Sequence, residues 1–182
     1  MVAMSTHIAF LRAVNVGHRR VRNARLVEVF DQLGHPDAWT YINSGNVVFT
    51  ASGARAALEE TIGTAIECDV GFEVTTFVRT SRELRDVVGR RPFEVASGDT
   101  YFVTFLVERP TLSQRKDLEA LSNDVDTLVV DGHEVHWLMH GKSTDSKLVK
   151  RQWEQILGKN SSTSRNMTML TKLIDKIESQ VP

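Results

Sequence analysis

The chain has 182 residues, of which 41% are hydrophobic and 25% charged, with a formal net charge of -1. That balance suits a soluble globular protein built as one compact domain or as two small subdomains. It excludes a global electrostatic field that would draw the protein to nucleic acid or to an anionic membrane.

Cys68 is the single cysteine, so no internal disulfide can form, and a reducing cytoplasm is the simplest location. The opening string MVAMSTHIAF has neither a basic leader nor a long apolar run, so no signal peptide is expected. No apolar stretch approaches the roughly 20 residues that cross a bilayer.

The first strand is expected over His7 to Val14. Leu26, Phe30 and Leu33 recur at helical spacing, and Gly34 closes that helix. Ala38 to Ile42 and Val47 to Thr50 read as paired strands joined at Ser44-Gly45. Leu58, Ile62, Ala65 and Ile66 mark a second helix, and Phe72 to Val78 a fourth strand. The order β-α-β-β-α-β is the ferredoxin-like split motif, and right-handed crossovers place the first strand between the third and the fourth.

Thr80 to Glu83, TSRE, is a capping box that opens a connecting helix containing Leu84, Val87 and Val88. The pattern then partly repeats. Tyr101 to Glu108 is a strand, and Leu118 and Leu121 mark a helix. Thr127 to Val130 and Glu134 to His140 form a hairpin at Asp131-Gly132. Leu148, Val149, Trp153, Ile156 and Leu157 form a helix capped by Asp145. A last strand is not evident. Instead a terminal helix carries Met167, Leu170, Ile174 and Ile177 on one face. The fold class is therefore α+β: a ferredoxin-like βαββαβ half over residues 1–80, then a related βαββα subdomain with a connecting helix and a C-terminal helix over 81–182.

In the N-terminal topology the end of the first strand and the turn between the second and third lie on one sheet edge. Arg12 and Asn15 should therefore approach Asn43, Ser44 and Asn46. Arg12 offers a fork of donors, and the three asparagines offer amides that both donate and accept. Gly17 and Gly45 allow a ligand close to the backbone. Arg12, Arg19, Arg20, Arg22 and Arg25 stand within fourteen residues that contain no acid. A phosphate or carboxylate suits such a rim. The same residue types are also ordinary turn formers, and a charge run is ordinarily a solvated surface.

The strings IAFLRAVNVG, LVEVFDQLG and WTYINSGNVVF, with STSRNMTMLTKL toward the C-terminus, resemble a widespread bacterial family known as domain of unknown function 1697. The resemblance covers nearly the whole chain. It implies an α+β fold with a ferredoxin-like N-terminal half and brings no catalytic residues. Members usually carry glycine where Ala13 and His18 stand, and Pro-Met where Arg22-Asn23 stand, so the loop here is less permissive of close backbone approach.

In the C-terminal signature Arg165 and Asn166 are expected near the start of the last helix, whose free N–H groups favour an anion. Thr168 and Lys172 share a face. Alternatively Thr163, Ser164 or Asn166 is only a cap, and Arg165 a surface charge.

Glu134, His136 and His140 share one face of a strand, read as a polar outer face rather than a metal site, because a third close ligand is not evident. Cys68 has no obvious histidine partner, and Asp145 to Lys147 fits a cap better than Ser-Lys chemistry. There is no P-loop and no dinucleotide fingerprint, so no cofactor or metal is assigned. A ferredoxin-like sheet is also the scaffold of RNA-recognition domains, and Phe10 and Phe49 alternate as if on a shared face, but Asn46 stands where an aromatic would assist stacking.

The leading expectation is a cytoplasmic protein that binds a small anionic ligand such as a nucleotide, with Arg12, Asn15, Asn43, Ser44 and Asn46 lining the site. Arg165, Asn166 and Lys172 join it if the terminal helix crosses the same rim. No general base is evident, so no reaction is assigned. The alternatives are a structured-RNA binder using residues 19–25, or a non-catalytic protein-interaction module.

Overall fold

The computed structural model describes residues 4–15, 17–42 and 45–180. They divide into two compact units, residues 1–84 and 85–182.

The first unit runs β1 (Ser5–Leu11), α1 (Asn23–Gln32), β2 (Trp39–Thr40), β3 (Asn46–Ala51), α2 (Arg55–Val70) and β4 (Thr76–Thr80). Its strands lie in the order β2-β3-β1-β4, with every neighbouring pair antiparallel. The first strand thus sits between the third and fourth, as the crossover rule requires. Period-two alternation sends Ala9, Leu11, Val47, Phe49 and Val78 to one face. There they are buried in one core with Leu26, Val29 and Phe30 of α1 and Ile62 and Ile66 of α2. Phe10 pairs with Asn46 and Phe77, while Phe49 pairs with His7. Phe10 and Phe49 therefore point to opposite faces, contrary to the expected shared face, and both are fully buried.

Several boundaries differ from the expected ones, two of them for clear local reasons. β1 ends at Leu11 because Ala13 takes a left-handed conformation at φ 59°. β4 starts at Thr76, not Phe72. α2 ends on Gly71 at φ 75°, where the Gly71 N–H donates to the Glu67 carbonyl at 2.8 Å, and the chain needs four residues to turn back into the sheet. Phe72 packs on the core from this connection.

The second unit begins within α3 (Ser81–Arg90) and continues through β5 (Thr100–Leu106), α4 (Leu112–Glu119), β6 (Asp126–Asp131), β7 (Glu134–Met139), a 3-10 turn (Ser143–Asp145), α5 (Lys150–Leu157), β8 (Ser162–Asn166) and α6 (Met167–Ser179). The capping box of α3 is formed: Thr80 N donates to Glu83 Oε2 at 2.8 Å, and Glu83 N to Thr80 Oγ1 at 3.1 Å. Val149, not Asp145, is the N-cap of α5, and Asp145 closes the preceding 3-10 turn by accepting from Lys142 N at 2.9 Å.

The strand order β6-β7-β5-β8 repeats that of the first unit, again all antiparallel. The second half is thus a complete βαββαβ unit, because STSRN forms the strand that was missing from the sequence reading. No apolar alternation announces it. Thr163 and Arg165 are its buried positions, and Thr104 Oγ1 and Ser164 Oγ meet across the β5–β8 pair at 2.8 Å. The ladder to β5, not an apolar face, holds it in the sheet.

Free strand edges are dangerous because unpaired N–H groups invite another chain. Side chains occupy several of them here. Val78 N donates to Glu59 Oε1 at 2.8 Å on β4, and Leu128 N to Ser122 Oγ at 3.0 Å and Val130 N to Glu119 Oε1 at 3.1 Å on β6.

The face carrying Glu134 and His136 is not a solvated outer face. Both are buried, His136 at 1% exposure, and His136 Nδ1 lies 2.6 Å from the Tyr101 hydroxyl. His136 Nε2 is buried without a hydrogen-bond partner among the described residues. Burial depresses its pKa below the ordinary 6.5, so the folded protein resists protonation that the unfolded chain accepts. Its contribution to stability should be full above about pH 6.5 and decline below it. A pH series of urea midpoints should show this decline, and His136→Gln should remove it.

Candidate ligand-binding site

The expected rim is formed in its backbone. Leu11 N donates to the Gly45 carbonyl at 2.7 Å, and Tyr41 N donates to the Asn46 carbonyl at 2.9 Å. The two segments, far apart in sequence, therefore meet. Gly45 is at φ 69°, and a Cβ built there would lie 2.6 Å from Val14 Cγ2 and 3.1 Å from Leu11 Cβ. Only glycine permits that approach.

The rim side chains, however, serve the loops themselves. Asn15 Oδ1 accepts from Val21 N at 3.0 Å, which closes the basic loop onto the start of α1. Asn46 is fully buried and donates through Nδ2 to the Tyr41 carbonyl at 3.0 Å. Arg12 is half-buried, and its N–H donates to the Thr75 carbonyl at 2.9 Å. Asn43 and Ser44 lie outside the described residues.

The basic loop is likewise partly committed. The Arg19 guanidinium lies 4.5 Å from the centroid of the Phe72 ring, a cation–π contact. Arg25 is bound by Asp69, with Nε to Oδ2 at 2.9 Å, and also by Glu28. The hydrogen bond to Asp69 chiefly raises the Arg25 pKa above its ordinary value.

In the second unit Arg165 stands on β8, which runs directly into α6. It is buried, and Nη1 donates to Thr163 Oγ1 at 2.8 Å and to the Ser164 carbonyl at 2.9 Å. Burial lowers its pKa to about 10, and it stays charged at neutral pH. Asn166 is the N-cap of α6, its Oδ1 accepting from Thr168 N at 2.9 Å.

Asn166 and Lys172 also line a cleft of about 530 Å³, together with Arg91, Val95, Asp99, Thr100, Tyr101, Met167, Thr168, Thr171 and Asp175. Helical geometry explains the grouping. Thr168, Thr171, Lys172 and Asp175 fall at i, i+3, i+4 and i+7, one stripe of α6. The stripe turned away from the cleft, Leu170, Leu173, Ile174 and Ile177, is buried, and Met167, also buried, stands at the margin between the two.

Charges in the cleft are unevenly satisfied. Lys172 and Arg91 are exposed, and neither has a carboxylate within 4.0 Å among the described residues. Arg91 makes a long contact from Nε to the Val88 carbonyl at 3.4 Å. Asp99 accepts from Ala96 N at 3.2 Å and lies 3.4 Å from His140 Nδ1. Thr171 Oγ1 donates back to the Met167 carbonyl at 3.0 Å. Tyr101 is buried, its ring edge-on to Phe93, and burial pushes its phenol above the ordinary pKa.

Of the residues singled out from the sequence, Asn166, Thr168 and Lys172 line this cleft; Arg91, Thr171 and Asp175 also line it and were not singled out. The i, i+3, i+4, i+7 stripe of α6 was readable; the approach of the irregular segment 91–99 was not. Among the described residues no group of three or more His, Cys, Asp or Glu side chains could hold a metal ion. No helix among them is long and apolar enough to cross a membrane.

A family model described as protein of unknown function (DUF1697) matches residues 4–136. No curated protein matches. Among solved structures, the chain is similar to the conserved bacterial protein SP0830 from Streptococcus pneumoniae, at 20% identity and a TM-score of 0.71. That similarity covers 97% of this chain and 99% of the other, and at such identity it speaks for the fold alone.

Proposed function

The chain belongs to the DUF1697 family, and we propose that it is a cytoplasmic protein that binds a small ligand bearing a phosphate or carboxylate in the cleft of its second unit. The observation that carries this reading is the pair of cations, Arg91 and Lys172, that share one concave surface with no carboxylate partner among the described residues. Thr168 and the Asn166 amide add hydrogen-bonding groups at the start of α6, where the helix dipole favours negative charge. Met167 and Val95 supply apolar contact for the body of the ligand.

The N-terminal rim is the second place an anion would be sought, through Arg12, Asn15, Asn43, Ser44 and Asn46. It ranks lower because Asn15 and Asn46 already hydrogen-bond their own loops. RNA binding by residues 19–25 is disfavoured by the internal partners of Arg19 and Arg25. Phe10 and Phe49, on opposite faces, also offer no stacking platform.

Thermal-shift titrations with inorganic phosphate, ethyl phosphate, acetate and a short RNA test the reading. A ligand at about 100 times its Kd stabilises by about 2.7 kcal/mol. The shift with ethyl phosphate should disappear in Lys172→Ala and Arg91→Ala and persist in Arg12→Ala. A shift lost only in Arg12→Ala would move the site to the rim. A shift with RNA alone, falling steeply with salt, would favour the basic loop.

A further inference from the structure

The cleft is not uniformly basic. Beside Arg91 and Lys172 it presents Asp99 and Asp175, so its lining charges cancel. Asp99 already has His140 and the Ala96 N–H as partners. Asp175 is exposed and has no cationic partner within 4.0 Å among the described residues. It stands one turn beyond Lys172 on the same stripe of α6, at i+3.

An anion alone would gain from the two cations but share the cleft with two carboxylates, and like-charge repulsion between neighbouring groups is not negligible near a protein surface. A polyphosphate would meet that repulsion several times over. A ligand with one negative and one positive end meets neither penalty.

We propose that the ligand is a small zwitterion, with one phosphate or carboxylate and one ammonium group joined by a short apolar spacer. Its anion lies against Arg91 and Lys172 toward the start of α6, its ammonium group against Asp175, and its spacer over Met167. Asp175 is then the residue that sets specificity, and electrostatic complementarity works by excluding wrong ligands as much as by attracting the right one. This rests on the cleft being the binding site.

Isothermal titration of the full chain with 2-aminoethyl phosphate and with ethyl phosphate distinguishes zwitterion binding from binding of the anion alone. The probes share the phosphate and the two-carbon spacer and differ in the ammonium group. The amine-bearing probe should bind about tenfold more tightly, and Asp175→Asn should reduce the ratio to about one, by weakening the amine-bearing probe while ethyl phosphate binds the variant as tightly as the unaltered chain or more tightly. Asp175 is exposed on a helix surface, so the variant should keep its fold, which an unchanged Tm verifies. Equal affinity of the two probes for the unaltered chain, or a ratio that survives Asp175→Asn, would overturn the zwitterion inference and leave the anion site standing. Binding of neither probe would overturn both.

Discussion

Asp126→Ala should lower the unfolding free energy by about 3–5 kcal/mol, read from urea midpoints followed by tryptophan fluorescence. Asp126 has no solvent exposure. Its Oδ1 accepts from Trp137 Nε1 at 2.9 Å and from Ser146 Oγ at 2.7 Å. Its Oδ2 accepts from Lys147 N at 2.9 Å and from Asn123 Nδ2 at 3.2 Å. One carboxylate thus ties β6, the indole of β7 and the connection into α5. Removing it strands several donors, which costs more than losing the bonds alone. Ser146→Ala, which deletes one of the four, should cost about 1 kcal/mol.

The pH dependence carries the same signature. Desolvation pushes the Asp126 carboxyl upward, but the hydrogen bonds outweigh it and the net shift is below the ordinary 3.8. Its contribution should be complete above about pH 3.8 and be lost as pH falls through the lower folded value. This decline lies on the acid side of the one set by His136, so the two variants separate them.

Gly45→Ala should cost about 2–4 kcal/mol by the same measurement. The left-handed backbone penalises any Cβ, and the new methyl would collide with Val14 and lie 3.3 Å from the Leu11 carbonyl oxygen. Val14 is itself buried, at 2% exposure. Combining Gly45→Ala with Val14→Ala should cost less than the sum of the single changes, by about 1 kcal/mol, because the smaller side chain relieves part of the clash. Strict additivity would mean that Gly45 is needed for its dihedral alone.

The apolar elements were legible because periodicity reports burial directly. Phe30 and Ile66 on their helices, and the Asp131-Gly132 hairpin, lie where their spacing puts them. β8 was not legible, because its inward residues are Thr163 and Arg165, and a polar strand carries no such period. The same substitution of polar for apolar residues hid the burial of His136, whose partner Tyr101 is thirty-five residues away. At the rim, the topology led one to expect Arg12 and Asn15 near Asn43, Ser44 and Asn46; the backbones meet at Leu11 and Gly45, but nothing in the turn motifs shows that Asn15 and Asn46 hydrogen-bond their own loops. That distinction depends on side-chain direction, which a turn motif leaves open.

Backbone amide spectra of the isotopically labelled chain, recorded during titration with ethyl phosphate, locate the binding surface. For binding in the α6 cleft the largest saturable shifts should fall on Arg91, Asp99 to Tyr101 and Asn166 to Lys172. Saturable shifts centred on Arg12, Asn15 and Asn46 with the cleft silent, or no saturable shift at all, would contradict it.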